Sequence, residues 1–221
     1  MSHNPQWRHP LVIGISGPTR AGKSTLAKHL RIAMCGNGAE DENRRKKRKR
    51  SQLKDKVQRF TFAENSEITR VSVIAQDRYF KNGVSICTAD QPDAIDHEAF
   101  KDAVMNEMRA PHPIIVIVEG FRAFQDERLD GCFDVMIWID VMQETSFRRR
   151  RSPKVDEDVF KKNIWPMHIE YQRCVEKRLG NRLHRLDGEA DSGDVLEVAL
   201  VMLRVADNLI SNRAVHNGVH K

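Results

Sequence analysis

At 221 residues, 40% of them apolar, the chain can build one compact α/β domain with a proper core and is too short for two large ones. No apolar stretch approaches the ~20 residues that cross a bilayer, and the opening MSHNPQWRHP lacks the apolar core of a signal peptide, so an intracellular, cytoplasmic protein is expected. The formal charge of +6 is a local feature: Arg44 to Arg50 reads RRKKRKR, and the rest of the chain is close to neutral.

Leu11 to Ile15 (LVIGI) is a short β-branched run and predicts a buried parallel strand. Ser24 to Cys35 carries Leu26, Leu30 and Ala33 or Met34 at helical spacing and predicts a helix on the sheet, ended at Gly36-Asn37-Gly38. Residues 36–58 are polar and charged with little core material, which predicts a basic, mobile insertion. Arg59-Phe60-Thr61-Phe62 is ambiguous. Val71 to Ala75 is a second strand, expected beside the first. Ala94 to Met108 is a helix with Phe100, Val104 and Met108 on one stripe.

Ile114 to Val118 and Val135 to Asp140 are further buried strands. Glu144 to Arg151 is a helix ending in four arginines. Asp156 to Leu179 is helical with an interruption at Trp165-Pro166. Arg182 to Leu186 is a last short strand. Val195 to Ile210 closes the chain, with Val195, Val198, Val201 or Met202, Val205 and Leu209 facing inward and residues 212–221 a frayed tail. The four scattered cysteines have no metal-ligand spacing and read as reduced thiols; the nine histidines, mostly isolated, read as solvated. Strands alternating with helices give one domain over residues 1–221.

The chemistry begins at Gly17 to Ser24, GPTRAGKS, which matches GxxxxGK[ST]. Such a loop turns a strand sharply into a helix while its backbone N–H groups point inward at phosphate oxygens. Glycine permits the backbone angles and the close approach. Lys23 is placed to reach the β- and γ-phosphates, and the Ser24 hydroxyl to ligate Mg²⁺. Because a buried strand precedes the motif and an amphipathic helix follows it, chance is the weaker explanation. The expected ATP-binding run is Gly17, Pro18, Thr19, Arg20, Ala21, Gly22, Lys23, Ser24 and Thr25. The predicted fold is therefore a three-layer P-loop NTPase with a parallel sheet of about five strands, helices on both faces and a short helical lid.

Glu119 ends the third strand, where a carboxylate would lie beside the phosphates and support the magnesium. Asp77 ends the second, where a carboxylate can take the proton of an attacking hydroxyl; an Asp at a strand end is also common for purely local reasons. In DQPDAID, Asp90 suits vicinal sugar hydroxyls, while Pro92 and Asp96 equally mark a turn and a helix cap. Of Arg148 to Arg151, one or two are expected to swing over the phosphates, since four consecutive residues point around the whole helix. The basic run reads as a solvated insertion, a nuclear localisation signal or a nucleic-acid contact. It lacks the interleaved aromatics of a single-strand stacking platform.

These residues resemble the nicotinamide riboside kinases, within the wider uridine kinase group. The likeness lies in IGISGPTRAGKSTLAKHL, VIAQDRYF (73–80), DQPDAIDHEAF (90–100), IVEGFRAF (117–124), RRRS (149–152) and WPM (165–167) followed by Tyr171. The resemblance implies Asp77 as base for the ribose 5′-hydroxyl, close to the metal, with Ser24 and Glu119 completing the magnesium site. It implies Tyr79 and Phe80 lining the nucleoside pocket and Asp90 on the ribose hydroxyls. Arg150 and Lys154 would contact ATP, and Arg151 the substrate. The implied partners are ATP and a small nucleoside, with γ-phosphoryl transfer to nicotinamide riboside giving nicotinamide mononucleotide.

Several positions depart from that pattern. Arg78 stands where such kinases often carry a second acid, Ala89 precedes Asp90 in place of an aromatic, and the segment between Arg151 and Trp165 is short. The stretch from Phe100 to Ile114 is too short for the β-hairpin by which uridine kinases read pyrimidines, which disfavours uridine and cytidine. Two rivals stay open: another acceptor, such as a different nucleoside or pantothenate, and a nucleotide-binding regulator without turnover.

Overall fold

The computed structural model describes residues 10–35, 70–84, 91–109, 114–150 and 156–217. The expected insertion at 36–58, the glycine stop at 36–38, Arg59–Phe62, Asp90, Arg151, Lys154 and Ala89 lie outside them.

Five parallel strands form the centre: β1 (Leu11–Ser16), β2 (Arg70–Ala75), β3 (Ile114–Glu119), β4 (Val135–Asp140) and β5 (Leu183–Asp187). Their order is β2-β3-β1-β4-β5. The P-loop NTPase fold read from the motif is the fold observed. One expectation fails: β2 does not lie beside β1, because β3 is inserted between them. In register, Glu119 of β3 sits between Ile15 of β1 and Ala75 of β2. This brings the carboxyl ends of three strands to one place.

All six residues of β1 are buried, as a strand covered on both faces requires. Leu11, Ile13 and Ile15 face one layer, formed by α1 (Lys23–Cys35) and by α5 (Ser192–Asn217). Val12, with Val116, Val118, Met136 and Trp138, faces the other, formed by α2 (His97–Met108) and α4 (Trp165–Leu179). The alternation follows from the two-residue period of a strand.

Asp96 caps α2 by accepting a hydrogen bond from the Ala99 amide at 3.0 Å, so the helix starts at His97; Pro92–Ala94 forms a separate 3₁₀ turn ahead of it. α3 (Gln143–Arg150) ends at the arginines. A helical turn at Glu157–Val159 and a π-helical turn at Phe160–Ile164 run directly into α4. The expected interruption is thus a widened turn and not a break. Pro166 sits in the first turn of α4, where its missing N–H costs little.

The closing helix corrects another expectation. Of the expected stripe, Val195 and Met202 pack against the core, but Val198, Val201 and Val205 are exposed, and Leu196, Ala199, Leu200 and Leu203 form the buried face; the Leu209 side chain lies outside the described residues. The helix runs on to Asn217. Among the described residues no helix is long and apolar enough to cross a membrane.

Candidate active site

The site is assembled where β1, β3 and β2 end. Between β1 and α1 the chain bends through Gly17 (φ 141°) and Gly22 (φ 105°), with Arg20 also at positive φ. At Gly17 the loop presses on β4, and a Cβ there would lie 2.3 Å from the Ile139 carbonyl oxygen. Ser146 of α3 steadies the loop from above by donating to the Thr19 carbonyl at 2.7 Å. Lys23 is buried at the start of α1, and its Nζ donates to the Pro18 carbonyl at 2.6 Å, curling the ammonium over the loop. Ser24 and Thr25 are exposed at the mouth.

Glu119 is 5% exposed, and its carboxylate bonds with the Ser24 hydroxyl. Burial pushes its pKa up, and the nearby Asp77 carboxylate adds to the rise; Lys23, Ser24 and Arg78 oppose it. Two carboxylates and a hydroxyl thus converge beside a lysine, and one of the carboxylates is held away from its comfortable charged state. A hard divalent cation would relieve that strain. Ser24, Glu119 and Asp77 are all oxygen donors of the kind Mg²⁺ takes, so the residues present fit the ion. Among the described residues no cluster of three or more His, Cys, Asp or Glu is placed for a metal.

Asp77 and Arg78 are exposed in the 3₁₀ turn Gln76–Tyr79 that ends β2. Tyr79 and Phe80, grouped together by the sequence, part company. Tyr79 is half-buried, its ring edge-on to Phe100 at 5.5 Å. Phe80 stands at the mouth, stacked on Phe121 at 6.1 Å and 19°. At the end of α3, Arg150 is buried over the Phe160 ring at 6.0 Å, and Arg149 donates to the Gly188 carbonyl at 2.9 Å.

Four side chains not singled out for the site also shape it. Gln76 is fully buried and clamps the backbone of Arg122, donating to its carbonyl and accepting from its amide, both at 2.9 Å. Arg122 is buried with its guanidinium 5.0 Å above the Tyr171 ring. The Tyr171 hydroxyl accepts from the Phe124 amide at 2.9 Å and meets Ser16 Oγ at 3.4 Å; burial pushes its pKa up to about 12. His168 is half-buried, and burial, Lys23 and Arg122 hold its pKa down at about 3, which overturns its reading as a solvated histidine. Arg122, Tyr171 and His168, together with Pro18, Thr19 and Trp165, line a cleft between the phosphate loop and α4. Gln76, Arg122 and Tyr171 lie in or beside segments that carry the family resemblance, whereas His168 carried no signal in the sequence.

A phosphate loop facing a strand-end glutamate, a strand-end aspartate and the arginine-bearing helix α3 is the working end of a P-loop kinase. Residues 12–152 match the phosphoribulokinase/uridine kinase family, and the chain belongs to that family. It is accordingly a nucleotide-binding, ATP-dependent phosphotransferase. It is 25% identical over 227 residues to nicotinamide riboside kinase 1 from Homo sapiens, covering 92% of this chain and 94% of that one. It is 24% identical over 182 residues to a uridine kinase from Clostridium perfringens, covering 77% and 85%. Among solved structures, a gluconokinase from Sinorhizobium meliloti 1021 superposes with a TM-score of 0.50 at 13% identity, covering 91% of this chain and 96% of that one; the likeness is one of fold.

Proposed function

We propose that this chain is a small nucleoside kinase that transfers the γ-phosphoryl group of ATP to the 5′-hydroxyl of nicotinamide riboside, giving nicotinamide mononucleotide. The observation that carries the reading is the convergence of Lys23, Ser24, Glu119 and Asp77 at the ends of three adjacent strands. Phosphoryl transfer needs little covalent help from a protein; it needs positioning and charge stabilisation. The backbone N–H groups of Gly17 and of Thr19 to Thr25, with the ammonium of Lys23, hold the phosphates. Ser24, Glu119 and Asp77 would hold Mg²⁺, which when bound would neutralise charge on the phosphates. Asp77, exposed at the mouth, takes the proton of the attacking hydroxyl. Phe80 lines the nucleoside site, with Tyr79 behind it on Phe100. Arg150 and Lys154 serve ATP, and Asp90 and Arg151 serve the acceptor.

The nicotinamide acceptor is favoured by the similarity to nicotinamide riboside kinase 1 along nearly the whole chain. The short join between α2 and β3, residues 109–113, favours it over a pyrimidine nucleoside. The test is ADP release with Mg²⁺-ATP and nicotinamide riboside, with uridine and no acceptor alongside and the product identified by mass. Release that requires nicotinamide riboside supports the reading. Release with uridine alone moves the protein to the pyrimidine branch, and ATP binding without release on any acceptor makes it a regulator.

A further inference from the structure

His168 enters the cleft from the first turn of α4 and is held more firmly than packing alone demands. Trp138 of β4 stacks on it at 5.6 Å and 21°, and Trp165 flanks it at 5.0 Å and 50°. One turn further along α4, Gln172 serves as its hydrogen-bond partner. The Gln172 amide nitrogen donates to Glu176 Oε1 at 2.9 Å, which leaves its carbonyl oxygen to receive an N–H from His168. One ring nitrogen of His168 is thereby a donor to Gln172, and in the neutral ring the other is an acceptor. With Lys23 and Arg122 close by, the ring stays neutral at physiological pH, so that lone pair stays available.

From this geometry we infer that His168 is a substrate-positioning residue, whose acceptor nitrogen takes a hydrogen bond from a hydroxyl of the alcohol bound between the phosphate loop and α4. The inference rests on the kinase reading and deepens it. A ring between two indoles needs no nitrogen: phenylalanine would fill the stack without desolvating a polar group. The chain from Glu176 through Gln172 to His168 accounts for the nitrogen by fixing which face of the imidazole accepts. A ring this hard to protonate is a poor general base near neutral pH, so the role is orientation and leaves proton removal to Asp77.

The test is steady-state kinetics of the full chain with Mg²⁺-ATP, using His168→Phe, which keeps the ring and removes the acceptor, and His168→Gln, which keeps a polar acceptor and removes the ring. Loss of one neutral hydrogen bond predicts a rise of about tenfold in the KM of the alcohol for His168→Phe, with the KM of ATP unmoved. His168→Gln recovers most of that loss. Gln172→Leu, on a partly exposed helix face, raises the same KM by a smaller factor and decides the matter if His168→Phe fails to fold. An alcohol KM within about twofold of wild type in His168→Phe overturns the inference, as does an equal rise in the Phe and Gln variants. A wild type that turns over no alcohol overturns the kinase reading and this inference with it.

Discussion

Replacing Gly17 by alanine separates two demands the phosphate loop makes on its glycines. The new Cβ would lie 2.3 Å from the Ile139 carbonyl oxygen and 3.2 Å from its carbon and nitrogen, all of them backbone of β4. Neither partner is a flexible tip, so relief requires the loop or the strand to move by about 1 Å in a close-packed interior. Overpacking of this kind costs about 1–3 kcal/mol, and an L side chain at φ 141° adds about 1–2 kcal/mol of backbone strain. For a domain of this size each kcal/mol lowers Tm by about 2–4 °C, so a fall of about 10 °C is expected. Gly22→Ala is the control: φ is 105°, but nothing lies within 4 Å of the added carbon, so only the strain applies and the fall is about 4 °C. Both variants should weaken Mg²⁺-ATP binding, because each displaces N–H groups that face the phosphates. Thermal unfolding and titration with a fluorescent ATP analogue read the two effects separately. Melting temperatures that agree within about 2 °C for the two variants would refute the argument that contact with β4, and not the loop conformation alone, requires glycine at position 17.

Other perturbations probe the rest of the site. Lys23→Ala should leave a folded protein and lower kcat by at least about a hundredfold; undiminished turnover would remove Lys23 from the site. Asp77→Asn lies on an exposed turn, so fold and ATP affinity should persist while the rate drops about 10²–10⁴-fold; a surviving rate would show that Asp77 is not the base. Gln76→Leu strands two buried backbone groups of Arg122 and should cost about 2–4 kcal/mol in a urea titration. His168 gives the acid limb of stability a defined sign. Its folded pKa is about 3 against an ordinary 6.5, so its contribution is fully present above pH 6.5 and is lost as pH falls towards 3. Between pH 7 and 5 the loss reaches at most about 2 kcal/mol, and His168→Gln should remove it from the difference between urea midpoints at the two values.

Much of this protein is legible from local chemistry alone. A motif of eight residues carries its own geometry, because the strand, the turn and the helix it needs are neighbours in the chain. The apolar runs at 11–15, 71–75, 114–118 and 135–140 read as strands, and each is one. The α5 helix shows where such reading stops. Apolar residues occupy two of its faces, Val198, Val201 and Val205 on one and Leu196, Ala199, Leu200 and Leu203 on the other. Periodicity alone does not say which faces the sheet; contact with α1 and β5 does.

The phosphate loop, the layered α/β class and the strand-end acids Asp77 and Glu119 as candidates follow from residues close together in the chain, and so are written in it locally. The folded chain alone reveals that β3 lies between β1 and β2, which makes Asp77 and Glu119 neighbours instead of distant strand ends. It alone put Gln76 against Arg122, Tyr171 against Ser16, and His168 between Trp138 and Trp165. Trp165 and His168 share one helix turn, but the other pairings join residues far apart in the chain, 155 positions in the case of Ser16 and Tyr171. Strand order sets them, and no local spacing encodes strand order.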